Sequence, residues 1–413
     1  MSVLALTASH HEVDLSVVER LSAGAEDVGR TVLLRAEAVR GVVVLATCNR
    51  FELYADVAAE PDEATLRHAR RWLARLVAEA AGVPEALAAE SLSLRVGRAV
   101  AEHLFAVAAG LDSMAVGERE IAGQIQRALE SARSDGLTSK DLERLFQAAA
   151  RAAKKVASGT ALGATGRSLV DVGLDVAGES VGDWTVAQTL LVGTGAYAGA
   201  AVAALRRRRV SSIEVYSGSG RAAAFAENHG IAAVAAGPDS LAEALARADL
   251  VVAASGRGNR ARAAAGFLAA RPDARPLTVL DLALGHDIEP AARDVAGVRF
   301  LDLASLQDHV PQADRQAVAQ AQAIIDGAVA EFSAEQAARR ADGAIAALVN
   351  EAERQIASQV ALRLATLAGE ESAVEADDAV AEGIRREVRR QVNQELHGRI
   401  AAQRAAALEV SLG

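Results

Sequence analysis

The chain has 413 residues but a single cysteine, Cys48. One thiol cannot build an internal disulfide framework or a cysteine-only zinc site. Lysine is almost missing as well, standing only at Lys140, Lys154 and Lys155, so nearly all positive charge is arginine. Aromatic residues make up 3% of the chain, and the last of its 7 prolines is Pro311. No apolar run approaches the ~20 residues that span a bilayer. The opening residues lack the basic stretch and long apolar core of a secretory signal, so a cytoplasmic protein with no membrane partner is expected. A net charge of −10 argues against a generally basic coat for nucleic acid but leaves local patches open. What is present is 51% hydrophobic residues, much of it alanine, with 24% charged residues. That balance describes a folded, helix-rich chain of two or three domains.

Three regions follow from the patterning. Residues 1–158 read as α+β. Strands are expected at Val3–Ala8, Val42–Thr47 and Phe51–Val57, and helices at Val13–Leu21 and Glu63–Ala81. From Arg98 to about Ser158 the pattern is helical, broken near Gly110–Gly117 and Ser134–Ser139. Residues 159–303 alternate strands and helices, which implies a parallel, doubly wound α/β sheet of Rossmann type. Its strands are expected at Leu190–Val192, Ile213–Tyr216, Leu250–Ala254, Leu277–Leu282 and Val298–Leu301. Residues 304–413 read as all-α, with breaks at Gly343 and Gly369, an acidic linker Gly369–Asp378 and a second helix Ala379–Leu408. Two long helices with so few large side chains bury little area alone, so this region reads as a dimerisation element. The other reading is a helical hairpin packed on its own chain.

Several residues are candidates for chemistry. Cys48 ends an apolar strand within Thr47-Cys48-Asn49-Arg50. A lone cysteine is commonly a small buried hydrophobe. Here polar neighbours and an arginine two residues on make it equally a candidate nucleophile. Gly193-Thr194-Gly195-Ala196-Tyr197-Ala198 is a G-x-G-x-x-A fingerprint between a strand and a helix, the context in which it binds a dinucleotide pyrophosphate. No acid follows the next strand. Ser217, Ser219 and Arg221 stand there instead, which favours a 2′-phosphate and therefore NADP. The alternative for each of these loops is an ordinary turn. His103 lies inside a helix, a common place for a structural histidine. Arg206–Arg209 ends a helix, where a solvated last turn is the ordinary explanation.

Taken in order, these motifs resemble the glutamyl-tRNA reductase family over nearly the whole chain. Leu4–His11 looks like the family's first strand and its Ser-His pair. Thr47-Cys48-Asn49-Arg50 matches its nucleophile motif residue for residue. His103–Glu118, followed by Ile121 and Gly123-Gln124, resembles its longest signature. The resemblance implies a V-shaped homodimer whose subunits carry a catalytic domain (1–158), an NADPH-binding domain (159–303) and a helical dimerisation domain (304–413). It implies that Cys48 attacks the ester of glutamyl-tRNA, that a thioester forms, and that NADPH reduces it to glutamate-1-semialdehyde in tetrapyrrole (porphyrin) biosynthesis. Thr47, Asn49, Arg50, Ser113, Glu118, Arg119, Glu120 and Gln124 fall on the family's substrate-binding positions. His103 falls on its activity-important histidine, and residues 193–198 on its nucleotide loop. Neither metal nor flavin is implied. A complex with the downstream aminotransferase is plausible from the family.

The chain departs from the family pattern in three places. Glu118-Arg119-Glu120 stands where Glu-Pro-Gln is usual, Ser217-Gly218-Ser219 where Asn-Arg-Thr is usual, and Gly285-His286-Asp287 where Pro-Arg-Asp is usual. The altered cofactor loops admit an alternative, a non-catalytic paralogue acting as a tRNA-binding or regulatory dimer.

Overall fold

The computed structural model describes residues 3–57, 63–118, 120–162, 168–255, 268, 276–283, 286–310, 314–370 and 378–412. Compact packing divides the chain into Met1–Asp326 and Gly327–Gly413.

The first sheet is antiparallel and built from β1 (Val3–Ser9), β2 (Val39–Ala46), β3 (Arg50–Val57) and β4 (Ser93–Val96), in the order β2-β3-β1-β4. Strand β3 is buried along its whole length. Its odd residues Phe51, Leu53, Ala55 and Val57 join the apolar core with Val18, Leu21, Val28, Val32, Leu73 and Val77. Those residues come from α1 (Leu15–Ser22), α2 (Ala25–Arg35) and α3 (Glu63–Ala81). Its even residues, Arg50, Glu52, Tyr54 and Asp56, therefore share the opposite face. The helices α5 (Arg98–Ala108) and α7 (Lys140–Gly159) pack on one another there, and Phe146 of α7 meets Tyr54 edge-on, ring centroids 5.1 Å apart. Helix α7 starts at Ser139, whose hydroxyl accepts the Leu142 N–H. It buries Leu142, Leu145, Phe146, Ala149, Ala152, Ala153 and Val156, an i, i+3, i+4, i+7 stripe.

Helix α2, strand β4 and the short helix α4 (Glu85–Ser91) are not marked by the residue pattern. Helix α2 buries only Val28, Gly29 and Val32 while Leu34 is exposed, so its apolar residues form no clean stripe. Strand β4 is four residues long and half-exposed, too short for an alternation to register.

The second sheet is wholly parallel and contains β5 (Gln188–Val192), β6 (Ser212–Tyr216), β7 (Ala232–Ala233), β8 (Leu250–Ala253), β9 (Leu277–Asp281) and β10 (Val298–Asp302). Read from one edge its order is β7-β6-β5-β8-β9-β10. Chain direction across the sheet reverses at β5, so β5 and β8 flank the switch point where dinucleotides bind in folds of this kind. The two-residue β7 was not anticipated. Helices α8 (Leu169–Val181), α9 (Ala196–Arg207), α10 (Ala222–His229) and α11 (Pro238–Arg247) connect or flank the strands.

After β10 come a single turn, α12 (Leu303–Leu306), then α13 (Arg315–Glu370) and α14 (Asp378–Leu412). Gly343 was expected to break the helix and does not. A mid-helix glycine costs only about 1 kcal/mol relative to alanine, and the alanine-rich flanks carry the helix through. Within Gly327–Gly413, Ala352, Val388 and Val392 are buried among Ile356, Val360, Ile384 and Leu396, so α13 and α14 pack against each other. Leu362 and Val380 remain exposed. No helix among the described residues is long and apolar enough to cross a membrane.

Candidate functional site

The β2–β3 hairpin ends in a tight turn with Cys48 and Asn49 at its corner. The Thr47 N–H donates to the Arg50 carbonyl (2.9 Å), and the Thr47 hydroxyl donates to Asn49 Oδ1 (3.0 Å). Asn49 returns its N–H to Thr47 Oγ1 (3.4 Å), and its carbonyl accepts the His10 N–H (3.0 Å). Thr47 and Asn49 thus fix the turn that presents Cys48. The adjoining His10 imidazole is pushed down to about 4 by burial, with His11 and Arg50 adding to the effect.

Cys48 is buried, and its Sγ lies 3.0 Å from the Tyr197 hydroxyl. Tyr197 is the second residue of α9, inside the glycine-rich fingerprint. The same hydroxyl meets the carboxyl of Glu118, which Leu169 also approaches with its backbone N–H. Burial pushes the Cys48 thiol up to about 12, with the Glu118 charge adding to the rise; Tyr197 and Arg50 act in the opposite sense. Burial likewise pushes Glu118 up to about 7, reinforced by neighbouring Glu120. Glu118 Oε1 and Glu120 Oε2 are buried without a hydrogen-bond partner.

A second cluster lies on the even face of β3. The Arg50 side chain is fully buried. One terminal nitrogen donates to Glu52 Oε1 (2.9 Å) and Asp112 Oδ2 (2.9 Å), and the other donates to the Asp112 carbonyl. Its Nε–H has no partner. His103 Nε2 lies 2.8 Å from Glu52 Oε1, and the Tyr54 hydroxyl donates to Glu52 Oε2 (2.5 Å). Burial alone would raise the Glu52 carboxyl, but the charges of His103 and Arg50 and the bonds from His103 and Tyr54 hold it far below the usual carboxylate range. His11 Nε2 stands 3.8 Å from Asp112 Oδ1. Ser113 is buried next to Asp112, Glu120 opens α6 (Glu120–Ser134), and Gln124 is half-buried one turn on. Arg119 lies outside the described residues.

The sequence candidates therefore fall into two groups. Cys48, Glu118 and Tyr197 meet at one point, and Arg50 and His103 meet at another, joined through Glu52. Glu52, Tyr54 and Asp112 were missed. The signal for the first two was available in the alternation of β3, where a polar residue recurs at every second position from Arg50 to Asp56.

The glycine-rich loop shows why its glycines are needed. Gly193 has φ +101°, and a Cβ there would come within 2.4 Å of the Ser255 Cα. A Cβ on Gly195 would come within 2.5 Å of the Ala254 carbonyl oxygen. Ala198 is fully buried, as close helix–sheet packing requires. Thr194 Oγ1 is buried with no partner. At the end of β6, Ser217 and Ser219 share a hydrogen bond (2.9 Å), and Arg221 Nε donates to Ser219 Oγ (3.0 Å). The three candidates for a 2′-phosphate thus form one cluster, and Ser217 is buried. A cradle closed to side chains, an unpartnered buried hydroxyl, a helix N-terminus and a Ser-Ser-Arg cluster are a donor set that fits a phosphorylated dinucleotide.

Two acids beside this loop were also missed. The Ser255 N–H donates to Asp287 Oδ2 (2.7 Å) and its hydroxyl donates to Oδ1. Burial pushes Asp287 up to about 6. Asp281 accepts the N–H groups of Ala283 and Ile288 (3.0 Å each). These bonds hold the strand ends against which Gly193 and Gly195 pack. The Arg206–Arg209 run is not a free last turn. Arg207 and Arg208 both bond Asp171 of α8, at 2.9 and 3.0 Å, and Arg206 donates to the His229 and Gly230 carbonyls. Among the described residues no group of three His, Cys, Asp or Glu side chains is placed to hold a metal.

Comparison with known proteins extends the geometry. Residues 6–160 match the family model described as "Glutamyl-tRNAGlu reductase, N-terminal domain", and residues 175–309 match "Shikimate / quinate 5-dehydrogenase". The chain is 43% identical over 350 residues to a glutamyl-tRNA reductase of Paenarthrobacter aurescens, covering 84% of this chain and 78% of the relative. It is 42% identical over 403 residues to that of Renibacterium salmoninarum, covering 96% of this chain and 84% of the relative. The solved glutamyl-tRNA reductase of Methanopyrus kandleri shares the fold, with a TM-score of 0.51 at 20% identity over 99% of this chain and 98% of that one.

Proposed function

The chain belongs to the glutamyl-tRNA reductase family, and from that premise we propose that Cys48 takes the glutamyl group of glutamyl-tRNA as a thioester. The product, after reduction, is glutamate-1-semialdehyde for tetrapyrrole synthesis. The observation that carries this reading is the 3.0 Å contact between Cys48 Sγ and Tyr197 of the glycine-rich loop. It sets the one thiol of the chain beside the glycine-rich loop, so an acyl group on that sulfur would lie in the domain that would hold NADPH.

Each group has a role its chemistry suits. A thiolate is the strongest side-chain nucleophile for acyl transfer, and a thioester is more readily reduced than an ester. As Sγ attacks, the C–S bond forms and the bond to the tRNA ribose oxygen breaks. The Arg50 Nε–H, buried and unpartnered, is free to bind an oxygen of the glutamyl side chain. Its other nitrogens are occupied by Glu52 and Asp112, which fix its plane. His103, held by Glu52, orients that arginine end of the site and offers a proton there. Ser113, Glu118, Glu120 and Gln124 are assigned to the substrate pocket with the Thr47–Arg50 turn, and Arg119 is assigned to substrate on the family resemblance alone.

Gly193–Ala198 would hold the pyrophosphate of NADPH, and Ser217, Ser219 and Arg221 its 2′-phosphate. When bound, NADPH supplies the hydride that releases the acyl group as an aldehyde. We assign residues 1–158 to catalysis, 159–303 to the cofactor and 304–413 to dimerisation. The functional form is a cytoplasmic, V-shaped homodimer, and the aminotransferase that consumes the semialdehyde is its expected partner. With 12 aromatic residues in the chain, tRNA contacts rest on arginine and fall off with salt.

The test is one assay run two ways. Purified protein is incubated with glutamyl-tRNA, with and without NADPH, beside Cys48→Ser. Semialdehyde formed only with NADPH, and lost in the variant, is the expected result. Release of glutamate through Cys48 without any reduction would remove the cofactor half of the reading. No reaction with the charged tRNA would remove all of it.

A further inference from the structure

We propose that Tyr197 and Glu118 form a proton path out of Cys48: the tyrosine hydroxyl takes the thiol proton while giving its own to the Glu118 carboxylate. The proposal rests on the reading of Cys48 as the nucleophile and names the base which that reading leaves unassigned.

The geometry comes first. Sγ and the Tyr197 hydroxyl are 3.0 Å apart, and the same hydroxyl meets Glu118. Exposure is 5% for Cys48, 5% for Tyr197 and 3% for Glu118, so the path is largely withdrawn from solvent and the nearest proton acceptor to the sulfur is the tyrosine hydroxyl. Glu118 Oε1 has no partner, which leaves the carboxylate with spare acceptor capacity at the far end of the path. Tyr197 occupies an x position of the G-x-G-x-x-A fingerprint, where nucleotide binding asks for no particular side chain. Its hydroxyl is therefore unexplained by the loop and explained by the sulfur.

The energetics agree. Burial and the Glu118 charge push the thiol to about 12, so a standing thiolate is scarce at neutral pH and the proton must leave as the sulfur attacks. Tyr197 is itself raised well above its ordinary value, chiefly by burial, so no free tyrosinate forms on the way and the hydroxyl must gain the thiol proton as it gives up its own. Glu118, at about 7, is matched to accept a proton at neutral pH. The charged groups that bear on the path are Arg50, on both Cys48 and Glu118, and Glu120, on Glu118.

The step balances. Sγ gains the acyl carbon and loses its proton to the Tyr197 oxygen, and the Tyr197 proton moves to Glu118. The ribose oxygen leaves and takes a proton from water, and Glu118 later returns one to water. Tyr197 touches the reacting sulfur and so is catalytic; Glu118 acts through it and is a positioning residue.

The experiment measures single-turnover transfer of glutamate from glutamyl-tRNA without NADPH, from pH 6 to 9. It compares the wild type with Tyr197→Phe, Glu118→Gln and Cys48→Ser, and follows iodoacetamide alkylation of Cys48 in parallel. The wild-type rate should rise through about pH 7. Tyr197→Phe and Glu118→Gln should each slow transfer ~100-fold and flatten that rise. Glu118→Gln should meanwhile speed alkylation above about pH 7, where the wild-type carboxyl is ionised, because a like charge beside the thiol is gone. Slower transfer with faster alkylation is a pairing that mere loosening of the site does not produce. A wild-type rate and pH profile in both variants would overturn the path while an inactive Cys48→Ser left the nucleophile standing. Transfer persisting in Cys48→Ser would overturn the underlying reading instead. NADPH binding by Tyr197→Phe, measured by fluorescence, separates loss of the path from collapse of the loop; if that variant does not fold, Glu118→Gln reads the path from its other end.

Discussion

The two sheets put their polar residues in different places. Strands β8 and β9 of the parallel sheet are buried on both faces, and their bodies are Leu, Val and Ala apart from Thr278. Apart from Thr189 and Thr278, the buried polar side chains of this sheet stand at or beyond strand ends, at Ser217, Asp281, Asp287 and Asp302. Strand β3 of the antiparallel sheet is just as buried, yet carries Arg50, Glu52 and Tyr54 along its body. At the centre of a parallel sheet apolar helices cover both faces and leave a charge no partner; charge occurs mid-strand only in the outer strands β6 and β10, where Glu214 pairs with Arg247 and Arg299 with Glu179. The hairpin has one apolar face and one face roofed by α5 and the loop after it. There His103 and Asp112 arrive to compensate Glu52 and Arg50. Buried charge is stable in this protein where charge of the other sign is delivered by another element.

The sharpest way to break this comparison is Glu52→Gln. It leaves Arg50 and His103 buried beside a neutral partner, and removal of one member of such a set costs about 3–5 kcal/mol. Urea unfolding at pH 7 measures it; a loss below about 1 kcal/mol would mean that the cluster does not depend on the charge of Glu52. Next in size is Glu118→Gln. The carboxyl sits at about 7 in the fold against 4.5 ordinarily, so it costs nothing while protonated and destabilises once ionised. Its stability contribution is intact below about 4.5 and is lost as pH rises through about 7. Relative to wild type, Glu118→Gln should gain ~3 kcal/mol across that window and stay level above it. Unfolding curves at pH 4.5, 6 and 8 check the sign. The smallest effect falls on the parallel sheet. Arg221→Ala removes an exposed side chain from the end of β6 and should leave stability unchanged. A charge-assisted bond to phosphate is worth about 1.5–3 kcal/mol, so KM for NADPH should rise ~10-fold while KM for NADH does not move. An equal change with both cofactors would detach Arg221 from the 2′-phosphate.

Legibility followed periodicity. The strands at the centre of the parallel sheet were readable because they are short apolar runs between turn residues, and α3 because its stripe persists over five turns. Strands β4 and β7 were not, since four and two residues carry no period. The glycine-rich loop was readable as a motif. What packs against Gly193 and Gly195 was not, because Ala254 and Ser255 lie some 60 residues further along the chain. Gly343 misled for a related reason: a glycine is a weak local signal, and the helix continues unless a cap or a clash stops it.

The sequence by itself determined the longer strands of the two sheets, the helical C-terminal region, the thiol at the end of its strand and the glycine-rich loop. Each is written in neighbouring residues as a local period or a turn chemistry. Only the tertiary structure decided that Tyr197, 149 positions after Cys48, would stand 3.0 Å from its sulfur with Glu118 behind it. It also decided that Arg50 would be held by Glu52 and Asp112 with one N–H left over. Burial sets the proton affinity of these groups, and burial is a property of which elements meet, which no local stretch of sequence contains.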